Sequence, residues 1–362
     1  MRSAAPIERV AARAFTVPLD APEADGTLAW DSTTMVLAEV TAAGCTGLGY
    51  SYTHAAAREI IRDPLAGVLT RQDAFGTARL WDAMRLKVRN FGHQGICAAA
   101  ISALDVALWD LKARLLDVPL AVLMGPARDA CAIYGSGGFI GMTLEAMQAQ
   151  LGGWVSDAGC SWVKMKVGED ADIAVTRMRA ARAAIGDAEL MIDANGACTR
   201  KAALGLARLA TDHGVTWFEE PVSSDDLAGL RLLRDRTSLE IAAGEYGYDL
   251  VHFRRLLRAE AVDVVQADAT RCLGYTGFLR AAALADAHGV PLSAHTAPAL
   301  HLPVCCAAPR LRHIEWFHDH VRLEALLFDG APEPREGLIR PDLSRPGHGL
   351  QLRAADAQRF EV

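Results

Sequence analysis

The sequence predicts an α/β protein: a closed parallel barrel with a smaller α+β unit in front of it. Three observations carry this prediction. From about Ala130, short apolar strands alternate with Ala/Leu/Arg-rich helices about every 25 residues, the spacing of strand–helix units. The strands are continuous apolar runs, the mark of a parallel sheet covered by helices on its faces. Eight such strands can be counted, and eight close a barrel.

Length and composition set the frame. With 362 residues, one large domain or two are expected. Apolar residues make up 51% of the chain and no uncharged run reaches membrane length, so a soluble protein with a sizeable core is expected. Met1 to Val17 is broken by Arg2, Glu8, Arg9 and Arg13 and lacks the apolar block of a signal peptide. The net charge is −7 with no basic block, which argues against nucleic acid as a partner. Of 8 cysteines only Cys305 and Cys306 adjoin, and none form a CxxC pair. That fits a reducing cytoplasm, with neither a disulfide frame nor a zinc site.

Residues 1–125 read as the α+β unit. Ile7 to Val17 and Thr34 to Val40 look like strands, and Ala42 to Gly49 suits a hairpin turn. Asp20 to Ser32 is polar and long for a connection, which suggests a lid or binding loop carrying Trp30 and Asp31. Tyr50-Ser51-Tyr52, after Gly-Leu-Gly, reads as a second such loop. Ala55 to Met124 has helical spacing, strongest over Ile96 to Leu116, and Gly125-Pro126 closes it.

Residues 126–326 read as the barrel. Its strands are expected at Cys131–Tyr134, Trp162–Val167, Leu190–Asp193, Val215–Glu219, Leu239–Ala243, Val262–Ala267, Pro291–Ala294 and Arg312–Glu315. Helices such as Asp170–Ile185, Arg200–His213, Asp225–Asp235, Tyr248–Arg258 and Tyr275–His288 fall between them. Residues from about 327 to 362 are rich in Pro and Gly and are expected to run back over the first unit.

Chemistry in such a barrel sits at the C-terminal strand ends. In the second strand, side-chain alternation puts Lys164 and Lys166 on one face and Val163, Met165 and Val167 on the other. Two neighbouring ammonium groups lower each other's pKa, which would suit one of them to act as a base. The next strands end at Asp193-Ala194-Asn195, Glu219-Glu220-Pro221, Gly244-Glu245, Asp268, His295 and Glu315. A single acid at a strand end is usually a helix cap or a solvated charge. Seven of eight successive ends with ionisable groups are not explained that way.

Asp193, Glu219 and Glu245 lie on adjacent strands and cannot converge without a counter-ion. Oxygen-only ligands with room for water suit Mg²⁺ better than zinc. Asp268 beside His295 is the arrangement that orients an imidazole and stabilises its protonated form. Lys166 and His295 are therefore two candidate bases set across a divalent metal. This suits abstraction of a proton next to a carboxylate, with metal and ammonium stabilising the resulting dianion. Such barriers require about 8–23 kcal/mol of stabilisation, more than one base supplies.

On these residues the chain resembles the enolase superfamily, and within it the mandelate racemase subgroup. The motifs are Lys-Met-Lys at 164–166, Asp-Ala-Asn at 193–195, Glu-Glu-Pro at 219–221, Gly-Glu at 244–245, Asp268, His295 and Glu315. The resemblance implies a modified TIM barrel of (β/α)7β type with an N-terminal α+β capping domain, and an even-numbered homo-oligomer such as a dimer or octamer. It implies Mg²⁺ on Asp193, Glu219 and Glu245. Lys166 would be the base on one substrate face, with Lys164 near the carboxylate. His295, paired with Asp268, would act on the other face. Glu315 would hydrogen-bond a carboxylate oxygen of the enediolate intermediate, and would have to be protonated or share a proton. The muconate-lactonising subgroup carries a lysine on the sixth strand, whereas this chain has Asp268, then Arg271, and an intact His295.

All members share proton abstraction and differ in the next step. A dehydratase uses the second base to protonate a departing β-hydroxyl, and a racemase returns a proton to the opposite face. Trp30, Asp31, Tyr50, Ser51, Tyr52, Tyr134, Ser136, Asn195 and Arg271 offer a polar lining, better suited to a polyhydroxylated acid than to a phenyl ring. Past the eighth strand, His318 adds a donor, while His320 and Arg322 are expected to serve surface or interface packing. Dehydration of a sugar acid, aldonate or aldarate, to a 2-keto-3-deoxy acid is the favoured expectation. A 2-hydroxy-acid racemase or epimerase and a non-catalytic acid-binding protein are the alternatives.

Overall fold

The computed structural model describes residues 4–362. Three antiparallel strands, β1 (Arg9–Ala24), β2 (Ala29–Ala42) and β3 (Cys45–Tyr52), form a sheet in that order. The long helix Ile96–Leu116 packs across β2 and β3. Its buried Ala and Leu side chains share a core with Val36, Val40 and Trp81.

The stretch Asp20–Ser32 is mostly strand rather than loop. β1 and β2 pair from Arg9↔Thr41 to Pro18↔Ser32, break register, and pair again at Glu23↔Trp30 and Ala24↔Ala29. This two-stranded ribbon projects beyond the sheet, where no face is fully covered, so its sequence lacks the alternation that marks a half-buried strand. Tyr50-Ser51-Tyr52 is likewise the end of β3 and not a loop, with Tyr50 and Ser51 wholly buried.

Eight parallel strands close the barrel: β4 (Cys131–Gly137), β5 (Trp162–Lys166), β6 (Glu189–Asp193), β7 (Val215–Glu219), β8 (Glu240–Ala243), β9 (Val264–Ala267), β10 (Leu292–Ala294) and β11 (Leu311–Phe317). Each pairs with the next, and β11 pairs with β4. Helices follow β4 to β10, and helix His318–Leu327 leaves β11 directly. Continuous apolar strands are explained by their surroundings: one face meets the helix ring, the other the packed barrel interior of Tyr134, Met191, Trp217 and Val264.

The two units are joined by buried hydrogen bonds. Trp81 Nε1 donates to Leu273 O (2.8 Å), Thr276 Oγ1 to Asp105 Oδ1 (2.8 Å) and Tyr50 OH to Glu324 Oε1 (2.6 Å). The C-terminal segment pairs at Leu338–Ile339 with β4 and returns to the first unit, where Val362 N–H donates to Ala14 O (3.0 Å). No described helix is long and apolar enough to cross a membrane.

Candidate active site

The strand register places the ionisable strand ends in one layer. Lys166 is opposite Asp193, and Asp193 is opposite Glu219. Glu245 stands just past β8, after Gly244 at φ 135°, where any Cβ would overlap the Gln266 carbonyl. Only glycine lets the chain turn there and aim Glu245 inward. One oxygen each of Asp193, Glu219 and Glu245 lie within 4.8 Å of one another, and all three residues are buried.

Three carboxylates this close repel. Burial, then the charge of Asp193, pushes the Glu219 carboxyl well above the usual carboxylate range. Glu245 Oε2 and Asn195 Oδ1 are buried with no hydrogen-bond partner. Asn195 holds φ 46°, a conformation asparagine tolerates, and its N–H donates to Asp193 Oδ1 (2.9 Å). An all-oxygen donor set with unpaired buried oxygens fits a hard divalent cation.

Two lysines face this layer. Lys166 Nζ is 2.6 Å from Asp193 Oδ2. Lys164 Nζ is 2.5 Å from Glu219 Oε1 and 2.9 Å from Glu315 Oε1. Lys164 does repel the Lys166 charge as expected, but that repulsion does not yield a lysine of lowered pKa here. Burial and Lys164 act to lower Lys166, but Asp193 and the other carboxylates outweigh them, and its pKa rises. Lys164 is raised in the same way, against burial, chiefly by Glu219 and Glu315. The cross-strand acids, invisible in a single heptapeptide, decide the sign.

Burial would push the Glu315 carboxyl up, yet Lys164, His295 and Lys166 hold it well below the usual range, so it is ionised. It accepts from Ser136 Oγ (2.6 Å) through Oε1 and from Thr296 N–H (2.9 Å) through Oε2.

His295 lies three strands around from Lys166 in the barrel order. Its Nδ1 is 2.9 Å from Asp268 Oδ2, and its Nε2 is 3.4 Å from Glu245 Oε2. Asp268 Oδ1 accepts from Thr270 N–H (2.7 Å), which fixes the carboxylate. Arg271 reaches Glu245 Oε1 (3.3 Å) and Asp268 Oδ2 (3.5 Å).

Lys166, Asn195, Glu245, Arg271, His295 and Glu315 open into one cavity of about 210 Å³, whose outer wall includes Trp30. The β1–β2 ribbon roofs it. Gly26 sits so close that a Cβ would overlap the Ala194 carbonyl oxygen, and Ile140 N–H donates to Ala24 O (2.9 Å).

Five residues expected to line the substrate stand behind the wall instead, among them Tyr50, which donates to Glu324, and Ser51, which donates to the Ala99 and Thr270 carbonyls. Tyr134 lies wholly buried under the Lys164 ammonium, 5.3 Å from its ring centre. Ser136 is spent on Glu315. Tyr52 stacks on His320 with ring centres 3.5 Å apart and its hydroxyl buried. Asp31 is exposed and holds Ser32. Conversely His320, expected at the surface, is buried and lines the cavity, as do Asp25, Leu28, Tyr246 and Phe317. Only the ribbon's fold brings Asp25 and Leu28 within reach, whereas Tyr246 follows Glu245 past β8 and Phe317 ends β11. Arg322 does not line the cavity; it donates to Pro18 O and Asp319 Oδ1, both at 2.9 Å.

Two family models match the chain. The enolase C-terminal domain-like model covers residues 146–357, and the N-terminal domain model of mandelate racemase and muconate lactonizing enzyme covers residues 11–125. A mandelate racemase/muconate lactonizing enzyme-like protein from Rubrobacter xylanophilus, known as a crystal structure, is 48% identical, with a TM-score of 0.96 over 99% of this chain and 100% of that one. The 3,6-anhydro-α-L-galactonate cycloisomerase of Streptomyces coelicolor is 31% identical over 96% of this chain and 97% of its own. The L-talarate/galactarate dehydratase of Salmonella typhimurium, crystallised with Mg and L-lyxarohydroxamate, is 28% identical, with a TM-score of 0.91 over 100% of this chain and 95% of that one.

Proposed function

The chain is a member of the mandelate racemase/muconate lactonizing enzyme family of the enolase superfamily, and from that premise we propose that it dehydrates a sugar acid to a 2-keto-3-deoxy acid with Mg²⁺. The observation that carries the reading is the pair of proton carriers, Lys166 and His295, opening into one cavity beside three converging carboxylates. Two relatives act on sugar acids: an anhydrogalactonate cycloisomerase and a talarate/galactarate dehydratase.

Asp193, Glu219 and Glu245 would hold the ion. When bound, a divalent cation supplies positive charge for the substrate carboxylate and offsets the acids that otherwise keep Lys166 protonated. Lys164, anchored by Glu315, faces the same carboxylate. Lys166 Nζ takes the α-proton. His295, oriented through Nδ1 by Asp268, delivers a proton from Nε2 to the β-hydroxyl, which leaves as water. The enol that remains ketonises to the 2-keto-3-deoxy acid. The buried Asp268 carboxylate stabilises the imidazolium before that transfer. Every group in this scheme comes from one chain.

Incubation with Mg²⁺ and a panel of sugar acids tests it. Formation of a 2-keto-3-deoxy product is expected. Inversion at the α-carbon without loss of water identifies a racemase instead, and silence across the panel points to a binding protein.

A further inference from the structure

Away from the carboxylate layer the cavity wall changes character. It is built from Asp25, Leu28, Trp30 and Thr33 of the ribbon, with Phe317 and His320 from the barrel. Trp30 and Phe317 each pack edge-on against Phe139, with ring centres 5.8 Å away, so this wall is fixed and aromatic. Asp25 is fixed too: its Oδ1 accepts from Thr27 N–H (2.6 Å), Thr27 Oγ1 (3.0 Å) and Leu28 N–H (2.8 Å).

The wall lacks a free cation. Among the described residues, the only Lys or Arg side chains lining the cavity are Lys166 and Arg271. Lys166 belongs to the reacting end, and Arg271 is held by Glu245 and Asp268. His320 is stacked on Tyr52, its Nδ1 accepts from Ala297 N–H (3.3 Å), and burial keeps it neutral. Arg322 is turned to Pro18 and Asp319. A charged group at the far end of a ligand would meet aromatic carbon and the Asp25 carboxylate. A like charge facing Asp25 with no cation to offset it is a repulsive element against such an analogue.

We infer that this chain acts on monocarboxylate sugar acids and rejects their dicarboxylate counterparts, with Asp25, Leu28 and Trp30 of the ribbon setting that choice. The inference rests on the sugar-acid reading above. The cavity, about 210 Å³, lies below the range of roughly 300–1,000 Å³ for drug-sized ligands and suits a short acid.

The test uses the full chain with Mg²⁺ and pairs of acids that share C2–C5 stereochemistry, such as D-gluconate with D-glucarate and D-galactonate with galactarate. Product formation and α-proton exchange in D₂O are both followed. The monoacid of a productive pair is expected to have a kcat/KM about 100-fold or more above its diacid. Leu28→Arg, which places a guanidinium at an exposed ribbon position, should improve diacid relative to monoacid by about tenfold. A parent protein that turns over diacids as well as monoacids overturns the inference while leaving the sugar-acid reading intact. An unmoved ratio in Leu28→Arg overturns the role given to the ribbon. A folded, Mg²⁺-loaded protein that neither exchanges nor dehydrates any member removes the sugar-acid reading and the inference with it.

Discussion

His295 Nδ1 lies 2.9 Å from Asp268 Oδ2, and both residues are buried at the barrel mouth. Burial alone would raise the Asp268 pKa, but the hydrogen bond and charge of His295 outweigh it and hold the carboxyl well below its usual range. The carboxylate therefore stays ionised and fixes one imidazole nitrogen, leaving the other for substrate. Asp268→Asn should lower kcat by about 10²–10⁴ with little change in KM, since geometry survives and the charge does not. Steady-state kinetics and circular dichroism of the variant check this.

Lys166→Ala and His295→Asn should each reduce turnover by at least about 10³, while both proteins remain folded. Melting curves and product analysis decide the point. Near-wild-type dehydration by either variant would contradict its assigned role.

Metal removal has a separate readout. Three buried acids repel without a cation, so a chelator should lower Tm and Mg²⁺ should restore it. At 100 times Kd the ion contributes about 2.7 kcal/mol to stability. Asp193→Asn should weaken the dependence of Tm on Mg²⁺ concentration. A Tm indifferent to Mg²⁺ in the parent protein would count against this ligand set.

The ribbon seats on the barrel through Gly26, whose missing Cβ makes room for the Ala194 carbonyl. Gly26→Ala should lift the ribbon and raise KM about tenfold or more. Because the contact is at the barrel mouth and not in the core, Tm should change by only a few degrees. Kinetics and melting of the one variant separate the two effects.

Glu23 supplies a pH signature. Burial, then the charge of Asp319, pushes its carboxyl up to about 8, although it accepts a hydrogen bond from Trp30 Nε1 (3.1 Å). Between the unfolded value, about 4.3, and about 8 the folded state binds the extra proton, so this group's contribution to stability falls as pH rises through that window. Above about 8 the loss levels off. Glu23→Gln keeps an acceptor for Trp30 and cannot ionise. Its Tm should gain on the parent's as pH rises from 5 to 8. A constant difference across that range would show that Glu23 is not buried as a neutral acid.

Much of this site is legible in sequence because strand periodicity is short and rigid. Lys164 and Lys166, two apart, have to share a face, and Asp193 and Glu219 each fall at the end of a short strand. The rest depends on neighbours from distant segments. The pKa of Lys166 is set by Asp193 on the next strand, not by Lys164 alone. Glu315 is ionised because Lys164 reaches it across β4. His320 reads as an ordinary residue in a first helical turn, until Tyr52 from the other unit stacks on it. The β1–β2 ribbon reads as a loop since neither face has a continuous apolar partner.

The most direct test of the central claim is a crystal structure of this protein with Mg²⁺ and a non-reacting sugar-acid analogue. The expected result is one ion bound by Asp193, Glu219 and Glu245, with the analogue's α-carbon between Lys166 Nζ and His295 Nε2. An ion held elsewhere, or both nitrogens on the same side of that carbon, would contradict it.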